Sequence, residues 1–137
     1  MEGRDSWIFC NAYSVITLLC WGKRYTKTKE RLDMPRIAVV SMFDDNYSRM
    51  AETTIFANFS KYCELHGYDL IPFKIDDKFL EGRHPQWGKI KLLGSLLSEE
   101  KYDWFFFLDC DCLFMNLSTK LEDLIDERFE LIVPEGG

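Results

Sequence analysis

Residues Trp104 to Asn116 read WFFFLDCDCLFMN. The unbroken apolar run from Trp104 to Leu108 is too apolar for a half-exposed strand and predicts a central one. It stops at Asp109, offers a second aspartate at Asp111, and turns apolar again at Leu113 and Phe114. Either the aspartates mark where the segment reaches water, or they hold something positively charged. In an extended segment alternate side chains share a face, so Asp109 and Asp111 point one way while Cys110 and Cys112 point the other. No Lys or Arg occurs among the next few residues, so the paired carboxylates repel each other unless a cation joins them. A hard divalent ion such as Mn²⁺ or Mg²⁺ suits such a pair, because it takes oxygen ligands and commonly combines one or two carboxylates with substrate phosphates. The ion would bridge the protein to a diphosphate and neutralise charge on a departing nucleotide.

Working outward, RIAVVSM predicts a buried strand over Ile37 to Met42, ended by the turn-prone FDDNYS. Ile55, Phe59, Tyr62 and Cys63 recur at helical spacing, predicting a helix from about Tyr47 to Leu65 with a stop at His66–Gly67. YDLIPFKI, Tyr68 to Ile75, reads as a second strand, and Pro72 assigns it to an edge. IDDKFLEGRHP reads as a loop. Trp87, Ile90, Leu93 and Leu97 predict an amphipathic helix over Gln86 to Leu97 with Trp87 in the core. After the aspartates, STKLEDLIDE carries a Ser/Thr cap and a helical turn or two, and FELIVP a last strand. Strand, helix, strand, helix, strand is the pattern of an α/β layer with a mostly parallel sheet. Such sheets bind ligands beyond the carboxyl ends of their strands, where FDDNYS and DCDCLF both fall.

Bulk properties limit the function classes. A chain of 137 residues has room for one domain, and 47% hydrophobic with 15% aromatic residues is a globular composition. A formal charge of −6 gives no electrostatic reason to expect nucleic acid as a partner. Five cysteines with no repeated spacing do not form a disulfide framework, and Cys110 and Cys112 read as small buried residues alternating with the aspartates. The segment Trp7 to Trp21 is apolar but shorter than the ~20 residues a spanning helix needs. Residues 1–33 read as a short membrane anchor, through residues 7–21, or as a non-essential extension before Met34. The basic run KRYTKTKER after the apolar segment would put the C-terminal side in the cytosol, against a lumenal enzyme.

The stretch His84 to Asn116, HPQWGKIKLLGSLLSEEKYDWFFFLDCDCLFMN, resembles the nucleotide-sugar-binding region of glycosyltransferase family 34, the galactosyl-, xylosyl- and mannosyltransferases of the yeast Golgi and plant xyloglucan type. Trp87, Gly88 and Lys89 match the family's Trp-Ala-Lys helix, with Gly88 departing from its Ala. Trp104, Asp109, Asp111, Leu113, Phe114 and Asn116 match its D-x-D strand. The resemblance implies a GT-A, Rossmann-like fold over residues 34–137, truncated, with a mostly parallel sheet and flanking helices. It implies transfer of a hexose or pentose, with retention, from a nucleotide-diphosphate sugar donor to a glycan or glycoprotein acceptor, and a Mn²⁺ cofactor with Mg²⁺ as the substitute. By position Asp109 would meet the ribose and a metal-bound water, Asp111 would ligate the metal, and Lys89 would lie near the donor phosphates. The implied setting is a type II Golgi membrane protein, or a cytoplasmic one if residues 1–33 are no anchor.

The family continues beyond the point matched by Gly137, through a segment carrying a further metal-binding His and the acceptor-binding residues. The expectation is therefore a donor-binding half with no assigned catalytic residue and little or no transferase activity alone. Two alternatives stand beside it. FFFLDCDCLF also resembles the first motif of haloacid-dehalogenase-type phosphatases, with Asp109 as nucleophile and Asp111 as general acid/base, although Leu113 stands where Thr or Val is usual. A non-catalytic module that holds a nucleotide-sugar is the other.

Overall fold

The computed structural model describes residues 34–132, together with the backbone of two short strands, β1 (Ile8–Cys10) and β2 (Cys20–Gly22). The rest of the expected anchor or extension over 1–33, and residues 133–137, lie outside the described residues. Among the described residues no helix is long and apolar enough to cross a membrane.

The β-branched run forms β3 (Ile37–Phe43), buried over its first five residues. Asp44 ends it by capping a 3₁₀ turn at Asp45–Tyr47, its Oδ1 accepting from the Tyr47 N–H at 3.2 Å. One continuous helix follows, built from α1 (Ser48–Thr53), a π-helical segment (Thr54–Phe59) and α2 (Ser60–His66). Gly67 stops it at φ 75°, a left-handed conformation that glycine adopts without strain, and its N–H donates to the Cys63 carbonyl at 2.8 Å. Then come β4 (Asp69–Lys74), α3 (Asp77–Leu80), α4 (Gln86–Ser98), β5 (Trp104–Phe107), β6 (Cys112–Phe114), a 3₁₀ turn at Leu121–Leu124, and β7 (Leu131–Ile132).

The main sheet has the order β4-β3-β5-β2-β7. Its β4, β3 and β5 are mutually parallel, while β2 runs antiparallel to β5 and β7. The expected α/β architecture with a parallel three-stranded core and flanking helices is therefore present, and Pro72 sits on the edge strand where its missing N–H costs no ladder bond. Arg36 and Asp103 level the starts of the two inner parallel strands: the Asp103 carboxylate accepts from the Arg36 N–H at 2.8 Å, and the Asp103 N–H donates to the Arg36 carbonyl at 2.8 Å.

Each face of the sheet carries its own core. Val39 and Phe106 pack with Ile55, Phe59 and Tyr62 of the long helix. Ala38, Val40, Phe105 and Phe107 pack with Leu92, Leu93 and Leu96 of α4. Period-2 alternation thus feeds two layers, and each fully buried Phe contributes roughly 1.5–3 kcal/mol relative to leaving it exposed.

Three expectations are corrected. IDDKFLEGRHP is not all loop: Asp76 caps α3, accepting from the Phe79 N–H at 2.7 Å, and Phe79 packs on Phe73 with ring centroids 4.7 Å apart. The buried face of α4 is Gly88, Leu92, Leu93 and Leu96, which leaves Trp87 58% and Ile90 59% exposed rather than in the core. The helical turn after the aspartates is 3₁₀ and carries no side-chain cap, its N-cap position being Lys120. The five cysteines also do not all stay thiols, since Cys112 is disulfide-bonded while Cys63 and Cys110 are free.

Candidate functional site

β5 stops at Phe107, and the backbone then turns instead of extending through the aspartates. The Cys112 N–H donates to the Asp109 carbonyl at 3.1 Å, closing a tight turn over Asp109 to Cys112. Beyond it β6 leaves the main sheet and pairs antiparallel with β1, in a register that sets Cys112 opposite Cys10 and Phe114 opposite Ile8. The pleat argument for a shared face therefore does not apply. The burial pattern it predicted still holds: Cys110 and Cys112 are buried, Asp109 and Asp111 half-buried.

The turn lies at the carboxyl end of β5, directly beside β3, which pairs with it in parallel up to Val40 and Phe107. The Leu108 N–H extends that pairing, donating to the Val40 carbonyl at 2.9 Å. Asp44, at the end of β3, is close enough for its charge to help push the Cys110 thiol up to about 11. Burial is the main cause of that rise, followed by the charges of Asp111 and Asp109. The two loops expected to meet at the ligand end of the sheet are thus neighbours.

Asp109 is not an unneutralised carboxylate. Lys89, from the first turn of α4, reaches its Oδ1 at 3.0 Å, and the side chains are only 18% and 23% exposed. Gly88 helps seat the helix start, since a Cβ there would stand 3.0 Å from the Met42 sulfur. The Lys89 ammonium also lies over the Phe107 ring, 5.4 Å from its centroid. The expected mutual repulsion of the aspartates is therefore relieved by a lysine twenty residues upstream, a cation that a search of the adjacent sequence misses.

The long helix holds the turn from the other side. Thr54 Oγ1 donates to the Cys110 carbonyl at 2.6 Å, in the middle of D-x-D. Asn58 Nδ2 donates to the Phe114 carbonyl at 3.1 Å while its Oδ1 accepts from the Phe114 N–H at 2.7 Å. The Tyr62 hydroxyl donates to the Thr119 carbonyl, and His66 Nε2 to the Leu117 carbonyl at 2.7 Å. One more hydroxyl finishes the clamp: Tyr68 donates to Glu122 and accepts from the Leu121 N–H at 3.0 Å. Thr54, Asn58, Tyr62 and His66 recur every fourth residue, a polar stripe the sequence displays but which hydrophobic periodicity passes over. Sequence reasoning missed all four as supports of the site.

Among the described residues no group of three or more His, Cys, Asp or Glu side chains assembles into a ready-made metal site. What the turn offers is two half-buried carboxylates of hard-oxygen chemistry, one already paired with an ammonium. That donor set fits a divalent ion that takes its remaining ligands from phosphate and water. His84 takes no part: it is an exposed loop residue whose Nδ1 accepts from the Gln86 N–H at 3.3 Å.

Comparison with curated proteins and with solved structures returns no match. A family model described as the galactosyl transferase GMA12/MNN10 family matches residues 33–132, spanning every parallel strand, both flanking helices and the D-x-D turn. An α/β layer of this topology and a family match over most of its length lead to one conclusion: the chain belongs to the galactosyl transferase GMA12/MNN10 family of glycosyltransferases.

Proposed function

We propose that residues 34–137 form a donor-binding unit that grips the diphosphate of a nucleotide-sugar through a divalent cation, Mn²⁺ or in its place Mg²⁺. The reaction served is transfer of a hexose or pentose, with retention of configuration, to a glycan or glycoprotein acceptor in the Golgi. The observation that carries the reading is the position of Asp109 and Asp111: half-buried in one turn at the carboxyl end of a central parallel strand, with Lys89 at 3.0 Å from Asp109. Family membership supports the donor and acceptor classes.

In this reading Asp109 and Asp111 hold the ion, and Lys89 faces the donor phosphates once they arrive. The ion, when bound, offsets the negative charge that builds on the leaving nucleotide. The chain's own contribution is positional. Thr54 and Asn58 fix the backbone on both sides of the aspartates, so the carboxylates need little reordering when the ligand enters.

Titration of UDP-sugars and GDP-sugars with and without Mn²⁺, on the wild type and on an Asp109→Asn/Asp111→Asn double variant, tests the proposal. Metal-dependent binding that the double variant loses is the expected result. Donor affinity that survives the double substitution would sink it. Hydrolysis of a simple phosphate ester through an aspartyl-phosphate would replace it with the phosphatase reading.

A further inference from the structure

The contact between Lys89 and Asp109 sets a problem for any cation entering the site. An oxygen that already accepts from an ammonium at 3.0 Å is a poorer ligand for a metal ion. An ion bound there at about 2 Å would also stand within about 5 Å of a like charge held in place. Neither partner is solvated freely enough to ignore the other, since less than a quarter of either side chain is exposed. Lys89 therefore acts against a bare metal ion.

A metal–diphosphate complex meets a different balance. Its phosphate oxygens give the displaced ammonium a new acceptor, so the ion pair to Asp109 is exchanged instead of lost. The aliphatic stem of Lys89 lets the ammonium swing while its backbone stays fixed in α4, and the face of Phe107 continues to favour a cation there. The same residue thus opposes one ligand and favours the other.

Resting on the donor-site reading above, we propose that Lys89 is a specificity-determining residue: its ion pair with Asp109 makes the site reject free divalent metal and accept the metal already complexed to a diphosphate. The two halves of the ligand are then coupled through a single side chain, and the coupling is reciprocal.

The experiment compares the wild type with Lys89→Met and Lys89→Arg. Binding of Mn²⁺ alone is followed by the electron paramagnetic resonance of the free ion, in phosphate-free buffer. Binding of preformed manganese pyrophosphate is followed by calorimetry. Lys89→Met is expected to bind bare Mn²⁺ about fivefold more tightly and manganese pyrophosphate about fivefold more weakly, the scale of one partly buried ion pair. Lys89→Arg, which keeps the charge, is expected to follow the wild type. Opposite signs for the two ligands separate this role from a general loosening of the fold, which would weaken both.

Affinities that move in the same direction, or a bare-ion affinity that Lys89→Met leaves unchanged, would overturn the inference. If manganese binding requires Asp109 and Asp111 but is indifferent to residue 89, the gate alone falls. If the wild type takes up manganese in neither form, the donor-site reading falls with it.

Discussion

Asn58 grips Phe114 with both ends of its side-chain amide, donating to the carbonyl at 3.1 Å and accepting from the N–H at 2.7 Å. It imitates a neighbouring strand, satisfying the two backbone groups of one residue from a helix that packs across it. Because both groups are partly buried, Asn58→Ala is expected to destabilise the domain by about 1–3 kcal/mol. Urea denaturation measures this as a lower midpoint at unchanged slope. A loss under about 0.5 kcal/mol would mean the clamp holds nothing that water cannot replace.

Helix α4 carries two glycines in different surroundings. A Cβ at Gly94 would meet nothing within 4 Å, whereas one at Gly88 would stand 3.0 Å from the Met42 sulfur and 3.3 Å from a Leu80 methyl. Gly94→Ala is therefore expected to stabilise by about 1 kcal/mol, the helix-propensity difference. Gly88→Ala gains less, because the far ends of Met42 and Leu80 must move aside. Thermal melting of the two variants should rank them in that order, and the reverse ranking would place the packing of α4 in error.

Cys63, buried in α2, has its thiol pushed up to about 12, first by burial and then by the charges of Asp69 and Glu64. Below about pH 9, the usual thiol value, folded and unfolded chains both hold the proton and the contribution is constant. Above it the unfolded thiol ionises while the folded one does not, so stability falls as pH rises toward about 12. Unfolding free energies between about pH 8 and pH 10 are expected to show this decline, approaching about 1.4 kcal/mol per pH unit for one proton. Cys63→Ala should flatten it. An equal slope in the variant would assign the decline to other groups.

The sheet was legible because its strands are short β-branched or aromatic runs separated by good breakers. Ile37 to Met42 and the apolar run at Trp104 have no other stable use. The face of α4 was not legible in the same way. Trp87, Ile90, Leu92, Leu93, Leu96 and Leu97 together cover most sides of the helix, so periodicity cannot choose among them. The sheet chooses, taking the leucines and Gly88 and leaving Trp87 and Ile90 outside.

The site shows the same division. Asp109 and Asp111 announce themselves by ending an apolar run, but the turn between them is set by the hydrogen bond from Cys112 and by Thr54, which is distant in sequence. Local alternation could report which side chains are buried; it could not report that the backbone bends. Nor could it reveal that Asp109 has a lysine partner, since an ion pair across twenty residues depends on how α4 docks.

The π-helical segment at Thr54–Phe59 has an evolutionary consequence. Its wider winding sets the angular phase between α1, which follows the end of β3, and α2, which presents Tyr62 and His66 to the chain beyond D-x-D. Deleting a single residue there would rotate everything downstream by about 100°. Tyr62 and His66 would then face solvent while Thr54 stayed put. Descendants of this sequence should accept exchanged side chains in that segment far more readily than any change in its length.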